Sequence, residues 1–308
     1  MLVFRGVLER ATTSTVLTIG NFDGVHLGHQ ALLNELRTAA QSRRLPVAVM
    51  VFEPHPREFF SPQQAPARLT SLREKLQLFA DMNIDRVHVC RFNHSFAQMS
   101  ATDFATALHE KLAAKFVLIG DDFRFGSKRS GDFELMAKVG AQRGFEVQAM
   151  HSVLQEGVRI SSTAVRAALA NGNMRMAQSY LGHPYSISGR VERGDGLGKQ
   201  IGFPTANIQL KHNRPPLTGI FVVRVQGDDL PTLQGVVSLG VRPTVRTDGK
   251  PVLEVHLFNF SQQIYGKHLH VDFLHKLRDE EKYSDVETLV RQIALDVENS
   301  KQWFKQND

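Results

Sequence analysis

The chain has 308 residues, 42% hydrophobic and 22% charged, which is the balance of an ordinary globular protein and excludes a mainly disordered chain. A single cysteine, Cys90, excludes an internal disulfide and a cysteine-based zinc cluster, and it suits a reducing, cytoplasmic setting. The net charge of +6, from 37 basic and 31 acidic residues, suits anionic ligands such as nucleotides, whereas the lack of a long Lys/Arg block or an RNP-type aromatic motif argues against nucleic acid as the partner.

The length exceeds one comfortable core, so two domains are expected. The first residues, 1–5, lack the apolar stretch of a signal peptide. The clearest apolar run, 45–52, is too short to span a bilayer. Neither feature points to a membrane partner. Residues 1–183 alternate short apolar runs with helical patterns. Strands are predicted at 16–19, 47–52, 86–90, 116–119 and 145–150, and helices at 28–43, 71–82, 101–113 and 133–143. Such alternation implies parallel strands covered by helices, a doubly wound α/β domain with its ligands at the carboxyl ends of the strands. From 184 to 308 the pattern changes. Strands are predicted at 185–191, 220–225, 235–239, 253–258 and 269–273, separated by Gly/Pro/Asn/Asp turns with no long helix between them. That pattern predicts an antiparallel sheet closed into a small barrel. A terminal helix follows, with Val286, Leu289, Val290, Ile293, Val297 and Phe304 on one face, a stripe that predicts packing onto the barrel.

The first segment that carries chemistry is 18–30, TIGNFDGVHLGHQ. It leaves a strand and enters a helix. Gly20, Gly24 and Gly28 let the backbone turn around Asn21 and Phe22 and approach a ligand closely. The helix start presents free N–H groups to phosphate, and His26 and His29 can donate to phosphate oxygens as charge develops. The plainer reading makes His29 a helix cap and His26 a surface residue. The second segment is 159–166, RISSTAVR. Ser162 and Thr163 can cap the helix that follows. Arg159 and Arg166 add positive charge that a cap alone does not require, which favours a phosphate clamp. Two further segments, 52–59 (FEPHPREF) and 120–126 (GDDFRFG), each follow a strand and could each be an ordinary turn; Pro54 and Pro56 stiffen the first.

The third segment is 189–207, GRVERGDGLGKQIGFPTAN. It is not a P-loop: the spacing is one residue short, Gln200 replaces Ser/Thr, and a strand rather than a helix is expected to follow. Gly194, Gly196 and Gly198, with Lys199 beside them, still form a loop whose N–H groups can cover phosphates. Thr205 and Asn207 are spaced as two oxygen ligands for Mg²⁺, which binds through few protein groups plus phosphates. Further on, 253–258 (LEVHLF) places Glu254 and His256 on one strand face, opposite Leu253, Val255 and Leu257.

Together and in this order, the HxGH, FEPHPREF, GDDFRFG, ISSTxxR and PTAN segments, with 235–245 (GVVSLGVRPTV) and 253–258, resemble the bacterial bifunctional riboflavin kinase/FMN adenylyltransferase family nearly end to end. The resemblance implies an adenylyltransferase domain over 1–183 and a riboflavin kinase barrel over 184–308. It implies riboflavin, FMN, FAD and ATP as ligands, with Mg²⁺ assisting and ATP as co-substrate. It implies that Phe52, Pro54, His55, Pro56, Asp122, Phe123 and Phe125 help to hold the flavin, and that Glu254 activates the riboflavin 5′-hydroxyl. Some relatives carry asparagine in place of Asp122. Others carry tyrosine for Phe221, aspartate for Asn259 and histidine for Arg193, differences that bear on flavin and metal contacts. A monomer or weak homo-oligomer is expected. Two rivals stay open on sequence: a nucleotidyltransferase for another phosphorylated acceptor, and a flavin- or RNA-binding regulator with vestigial sites.

Overall fold

The computed structural model describes residues 1–6, 11, 13–155, 157–194, 196–210, 214–241 and 251–307. The chain divides into two compact units: Met1–Pro66 with Leu72–Ser161, and Ala67–Ser71 with Ser162–Asp308. Among the described residues, no helix is long and apolar enough to cross a membrane.

The first unit is built on β1 (Leu2–Gly6), β2 (Thr15–Ile19), β3 (Val47–Glu53), β4 (Arg86–Arg91), β5 (Ala114–Gly120) and β6 (Glu146–Met150). They form one sheet in the order β1-β4-β3-β2-β5-β6, with every neighbour parallel. β2 is buried along its whole length, as expected of a parallel strand covered on both faces. α1 (Leu27–Arg43), α2 (Pro56–Phe60), α3 (Leu72–Asp81), α4 (His94–Ala97), α5 (Ala101–Glu110) and α6 (Phe133–Arg143) complete the unit. Two apolar clusters form its core. One gathers Leu33, Leu36 and Phe79 with Val16, Val49 and Val87; the other gathers Phe104, Leu108 and Met136 with Leu17, Val117 and Ile119. Strand order runs outward in both directions from β2 and β5. The loop after β2 therefore leaves at the switch point, where open α/β sheets bind their ligands. Helix α5 stops at Glu110 rather than 113: Lys111 is its C-cap, and Ala113, with a left-handed φ of 50°, leads into β5.

The short hairpin β7 (Leu154–Gln155) and β8 (Val158–Arg159) closes the first unit. The second unit begins with α7 (Ser162–Ala170) and α8 (Met174–Leu181). α8 buries Met174, Ala177, Tyr180 and Leu181. The barrel follows: β9 (Tyr185–Glu192), α9 (Leu197–Gln200), β10 (Ala206–Gln209), β11 (Gly219–Gly227), β12 (Leu230–Val241), β13 (Pro251–Leu257) and β14 (His268–Arg278). Its strands close in the order β10-β13-β12-β11-β14-β9, all antiparallel. Antiparallel closure pairs every described strand of the barrel on both sides and leaves no free edge among them. The barrel packs against α10 (Val286–Asn307) through Ile220, Val222, Val236 and Phe258, which meet Val297 and Phe304, with Trp303 beside them. The expected apolar stripe of α10 is corrected at its start: Val286 is 60% exposed. The barrel is thus contacted by the later turns of the helix.

Candidate active sites

The loop from β2 to α1 turns through three left-handed residues. Phe22, Gly24 and Val25 all have left-handed φ, 48°, 81° and 39°. For a β-branched valine this is costly and persists only where the surroundings enforce it. Phe22 is tied to that valine, its carbonyl oxygen accepting the Val25 N–H at 3.3 Å. It is buried, meets Phe79 edge-on at 5.5 Å, and lies 4.9 Å from the His29 ring. His26, not His29, caps α1: its Nδ1 accepts the His29 N–H at 3.4 Å. The proton of a neutral His26 therefore sits on Nε2. The two imidazoles stack with centroids 3.7 Å apart. Burial, then His26, then Lys75 push the His29 pKa well below 6.5, so His29 is neutral at pH 7. Gly28 lets the backbone pass close to the first histidine: a Cβ there would stand 3.2 Å from the His26 ring and 3.4 Å from the Ile160 carbonyl oxygen.

Thr18 Oγ1, Asn21 Oδ1 and His29 Nδ1 are all buried with no hydrogen-bond partner among the described residues. Buried polar atoms are ordinarily satisfied. The three lie on β2, in the loop just after it and on α1, and are candidate contacts for a polar ligand. Sequence reasoning missed Lys75, which is 5% exposed and whose Nζ donates to the Asn21 carbonyl oxygen at 2.6 Å. The available signal was a lysine on the apolar face of α3, in step with Leu72 and Phe79.

Arg159 Nη2 meets Asp122 Oδ2 at 2.6 Å. A residue read as nucleotide-binding and one read as flavin-binding are thereby joined. Ser162, Thr163 and Arg166 lie on α7 in the second unit, where Arg166 Nε donates to the Ala67 carbonyl oxygen at 2.6 Å. The helix already begins at Ser162, so the serine and threonine sit in its first turn.

The two segments tied to flavin by resemblance are connected by aromatic rings. Phe52 lies 5.9 Å from Phe92 and 5.5 Å from Phe96; Phe96 meets Phe104 at 6.0 Å, and Phe104 meets Phe125 at 5.3 Å. Phe123 stacks on Phe125 at 5.5 Å. His55 and Pro56 start α2, where the His55 Nδ1 accepts from the Arg57 N–H at 3.1 Å and Glu58 bonds back to the His55 N–H. Pro54 immediately precedes that cap. Phe92 and Phe96 were not singled out in the sequence. Each stands in or beside a short helix with no motif around it, and only the fold brings them to Phe52.

In the second unit, β13 buries Leu253, Val255 and Leu257 and turns Glu254 and His256 to the other face. Glu254 lies between Asn207 of β10 and Ser238 of β12 in the strand register. The glycine loop rests on the same groups. A Cβ at Gly194 would come within 2.4 Å of the Asn207 amide. One at Gly198 would stand 2.5 Å from the Phe203 carbonyl oxygen and 3.3 Å from Thr205 Oγ1. Part of that loop is a single helical turn, α9, which carries the exposed Lys199; the expectation of an irregular loop running directly into strand is corrected to that extent. Glu280 was missed. Its Oε1 accepts from Ser238 Oγ at 3.2 Å. Burial raises its carboxyl above the ordinary range, the Ser238 bond opposes that, and the Glu254 charge adds to it.

Phe221 does not bear on this face. It is fully buried, packs edge-on to Phe273 at 5.3 Å, and pairs with Val237, whose side chain points into the barrel. Asn259 holds a left-handed φ of 53°, a conformation asparagine tolerates. Arg193 lies over the Tyr265 ring at 5.7 Å. Residues 242–245 of the 235–245 segment lie outside the described residues.

The donor set on this face is a hydroxyl, an amide and a carboxylate. Among the described residues, no group of three or more His, Cys, Asp or Glu side chains could hold a metal. Such a face fits a hard cation that takes most of its ligands from phosphate and water, as Mg²⁺ does, and does not fit a dedicated transition-metal cage.

A family profile described as FAD synthetase matches residues 8–164, and one described as riboflavin kinase matches residues 181–304. A bifunctional riboflavin kinase/FMN adenylyltransferase from Escherichia coli K12 is 48% identical over 290 residues, covering 94% of this chain and 92% of its own. One from Haemophilus influenzae is 45% identical over 307 residues, 99% of each chain. Among solved structures, a macrolide-efflux protein from Streptococcus pneumoniae superposes with a TM-score of 0.82 at 29% identity, covering 98% of this chain and 100% of that one.

Proposed function

The chain belongs to the bifunctional riboflavin kinase/FMN adenylyltransferase family, and from that premise we propose that its two reactions are divided between residues 1–183 and 184–308. The enzyme phosphorylates riboflavin with ATP to give FMN and adenylylates FMN with ATP to give FAD. What supports the division is that Glu254, Asn207, Thr205 and the glycine loop converge on one barrel face, in a unit that contains neither histidine of the HxGH segment.

In the kinase step the 5′-hydroxyl of riboflavin attacks the γ-phosphorus of ATP and ADP leaves. Glu254 orients that hydroxyl and takes its proton. Gly194, Gly198 and Lys199 cover the phosphates, and Thr205 and Asn207 hold the cation. Mg²⁺, when bound, neutralises charge developing on the phosphates. In the transferase step an FMN phosphate oxygen attacks the α-phosphorus of ATP and pyrophosphate leaves, with no protein nucleophile. Gly20, Asn21, Phe22, Gly24 and Gly28 shape the backbone around the phosphates. His26 and His29 donate to them, and Arg159 supplies charge from the hairpin. Ser162, Thr163 and Arg166 enter this reading on their sequence motif alone. The ring series from Phe52 to Phe123 supports a site for the isoalloxazine, with Pro54, His55, Pro56, Asp122 and Phe125 around it.

The test is direct. Purified protein given riboflavin, ATP and Mg²⁺ should accumulate FMN and then FAD on chromatography, and chelation of the cation should stop both. Formation of FMN without FAD, or transfer to a different phosphorylated acceptor in preference to FMN, would overturn the reading.

A further inference from the structure

Thr205 stands just outside the barrel. β10 begins at Ala206, and its pairing with β13 runs from Gln209↔Val252 to Ala206↔Val255. Thr205 therefore falls one step beyond the ladder, where strand hydrogen bonds no longer fix it, and the preceding Pro204 has no N–H to offer. The next residue of β13 is His256, on the same face as Glu254. Its Nδ1 lies 2.9 Å from the Pro204 carbonyl oxygen. A carbonyl oxygen only accepts, so Nδ1 carries the proton. The imidazole is itself held between two rings, Phe203 at 5.6 Å and Phe258 at 6.0 Å, both edge-on. Phe258 is buried and belongs to the cluster that packs against α10. From the other side, the Phe203 N–H donates to the Gly198 carbonyl oxygen at 2.7 Å, which ties the same stretch to the glycine loop.

We propose that His256 is a positioning residue of the kinase site: its Nδ1–H anchors the Pro204–Thr205 peptide and so sets Thr205 Oγ1 for the divalent cation. The inference rests on the reading of Thr205 as a cation ligand. It assigns His256 neither a proton transfer nor a contact with substrate. Its consequence is specific. Loss of the anchor loosens one cation ligand, so the requirement for metal rises more than the turnover at saturating metal falls.

The experiment compares His256→Ala, His256→Asn, His256→Gln, Thr205→Ala and the double variant Thr205→Ala/His256→Ala, all in the full chain. Mn²⁺ binding in the presence of ADP is measured by electron paramagnetic resonance, and the Mg²⁺ dependence of riboflavin phosphorylation by steady-state kinetics. One lost hydrogen bond to a site group corresponds to a weakening of cation binding by about tenfold in His256→Ala. Asparagine places an N–H near the position of Nδ1 and should restore most of the affinity. Glutamine places its N–H near the position of Nε2 and should not. The double variant should bind the cation no more weakly than Thr205→Ala alone, because His256 acts through that residue. If Thr205→Ala leaves Mn²⁺ affinity unchanged, the cation reading itself falls. If Thr205→Ala weakens it while His256→Ala does not, or if asparagine and glutamine behave alike, the positioning role is wrong. Should His256→Ala fail to fold, the asparagine–glutamine comparison still decides.

Discussion

At the scale of single residues, chemistry and conformation are hardest to separate in the HxGH loop. His26 is at once the cap of α1 and the stacking partner of His29, so replacing it alone confuses a structural loss with a catalytic one. The paired change His26→Ala/His29→Ala is expected to abolish most FAD formation from supplied FMN and leave riboflavin phosphorylation near normal. Each lost donor costs about a hundredfold. Parallel loss of both activities in a variant with a native circular dichroism spectrum would count against separate sites. Glu254→Gln tests the proposed proton acceptor, because glutamine preserves size but cannot serve as a base. Its kinase kcat should fall by about a hundredfold or more, with riboflavin affinity by fluorescence little changed. A near-normal kcat would return Glu254 to an ordinary polar position on a strand. The histidines and Glu254 were legible in the sequence because they lie inside contiguous motifs. Lys75 and Glu280 were not. Each reaches its site across a chain separation that no local spacing encodes.

At the scale of elements, β1 and α8 show where periodicity runs out. β1 is a five-residue strand exposed along most of its length, so it carries no alternation of buried and exposed positions to read. α8 is only eight residues long and follows the turn at Gly172; it packs on α7, just before it, and on the barrel strands β9 and β14, which come later in sequence. The buried β2, β3 and β5 were legible because central parallel strands are continuous apolar runs. The pairing of β1 with β4 creates a titratable core position. His88 is 8% exposed, stacks on Phe4 at 5.0 Å, and has its pKa lowered by burial, and then by Arg86, to about 4. The unfolded chain takes up this proton near pH 6.5 and the folded chain only near pH 4. Stability from this position is therefore complete above pH 6.5 and is lost as pH falls towards 4. At pH 5 the loss is about 2 kcal/mol. His88→Phe should remove that part of the acid sensitivity. Urea unfolding at pH 7 and pH 5 checks it, and an equal pH dependence in variant and parent would refute the assignment.

At the scale of the whole molecule, the change of pattern near residue 184 and the change of contacts near residue 162 do not coincide. A kinase fragment that starts at 162 keeps α8 and its buried Met174, Tyr180 and Leu181. A fragment that starts at 184 gives up that burial, worth about 1.5–3 kcal/mol for each large apolar side chain. Both fragments should convert riboflavin to FMN and neither should make FAD. The longer one should melt at a distinctly higher temperature. Equal melting temperatures would show that α8 does not stabilise the barrel, and a folded but inactive longer fragment would show that the kinase site needs the first unit. The two sheets also differ in how they end. The barrel has closed on itself, while the sheet of the first unit stops at β6 on one side and β1 on the other. β6 is guarded by Glu146, paired with Arg43, and by Gln148. β1 offers Leu2, Val3 and Phe4 at 60%, 39% and 44% exposure, and among the described residues it pairs with no strand but β4. In hot or concentrated solution, aggregation should therefore start from residues 2–6, strand adding to strand, well before either catalytic core has come apart.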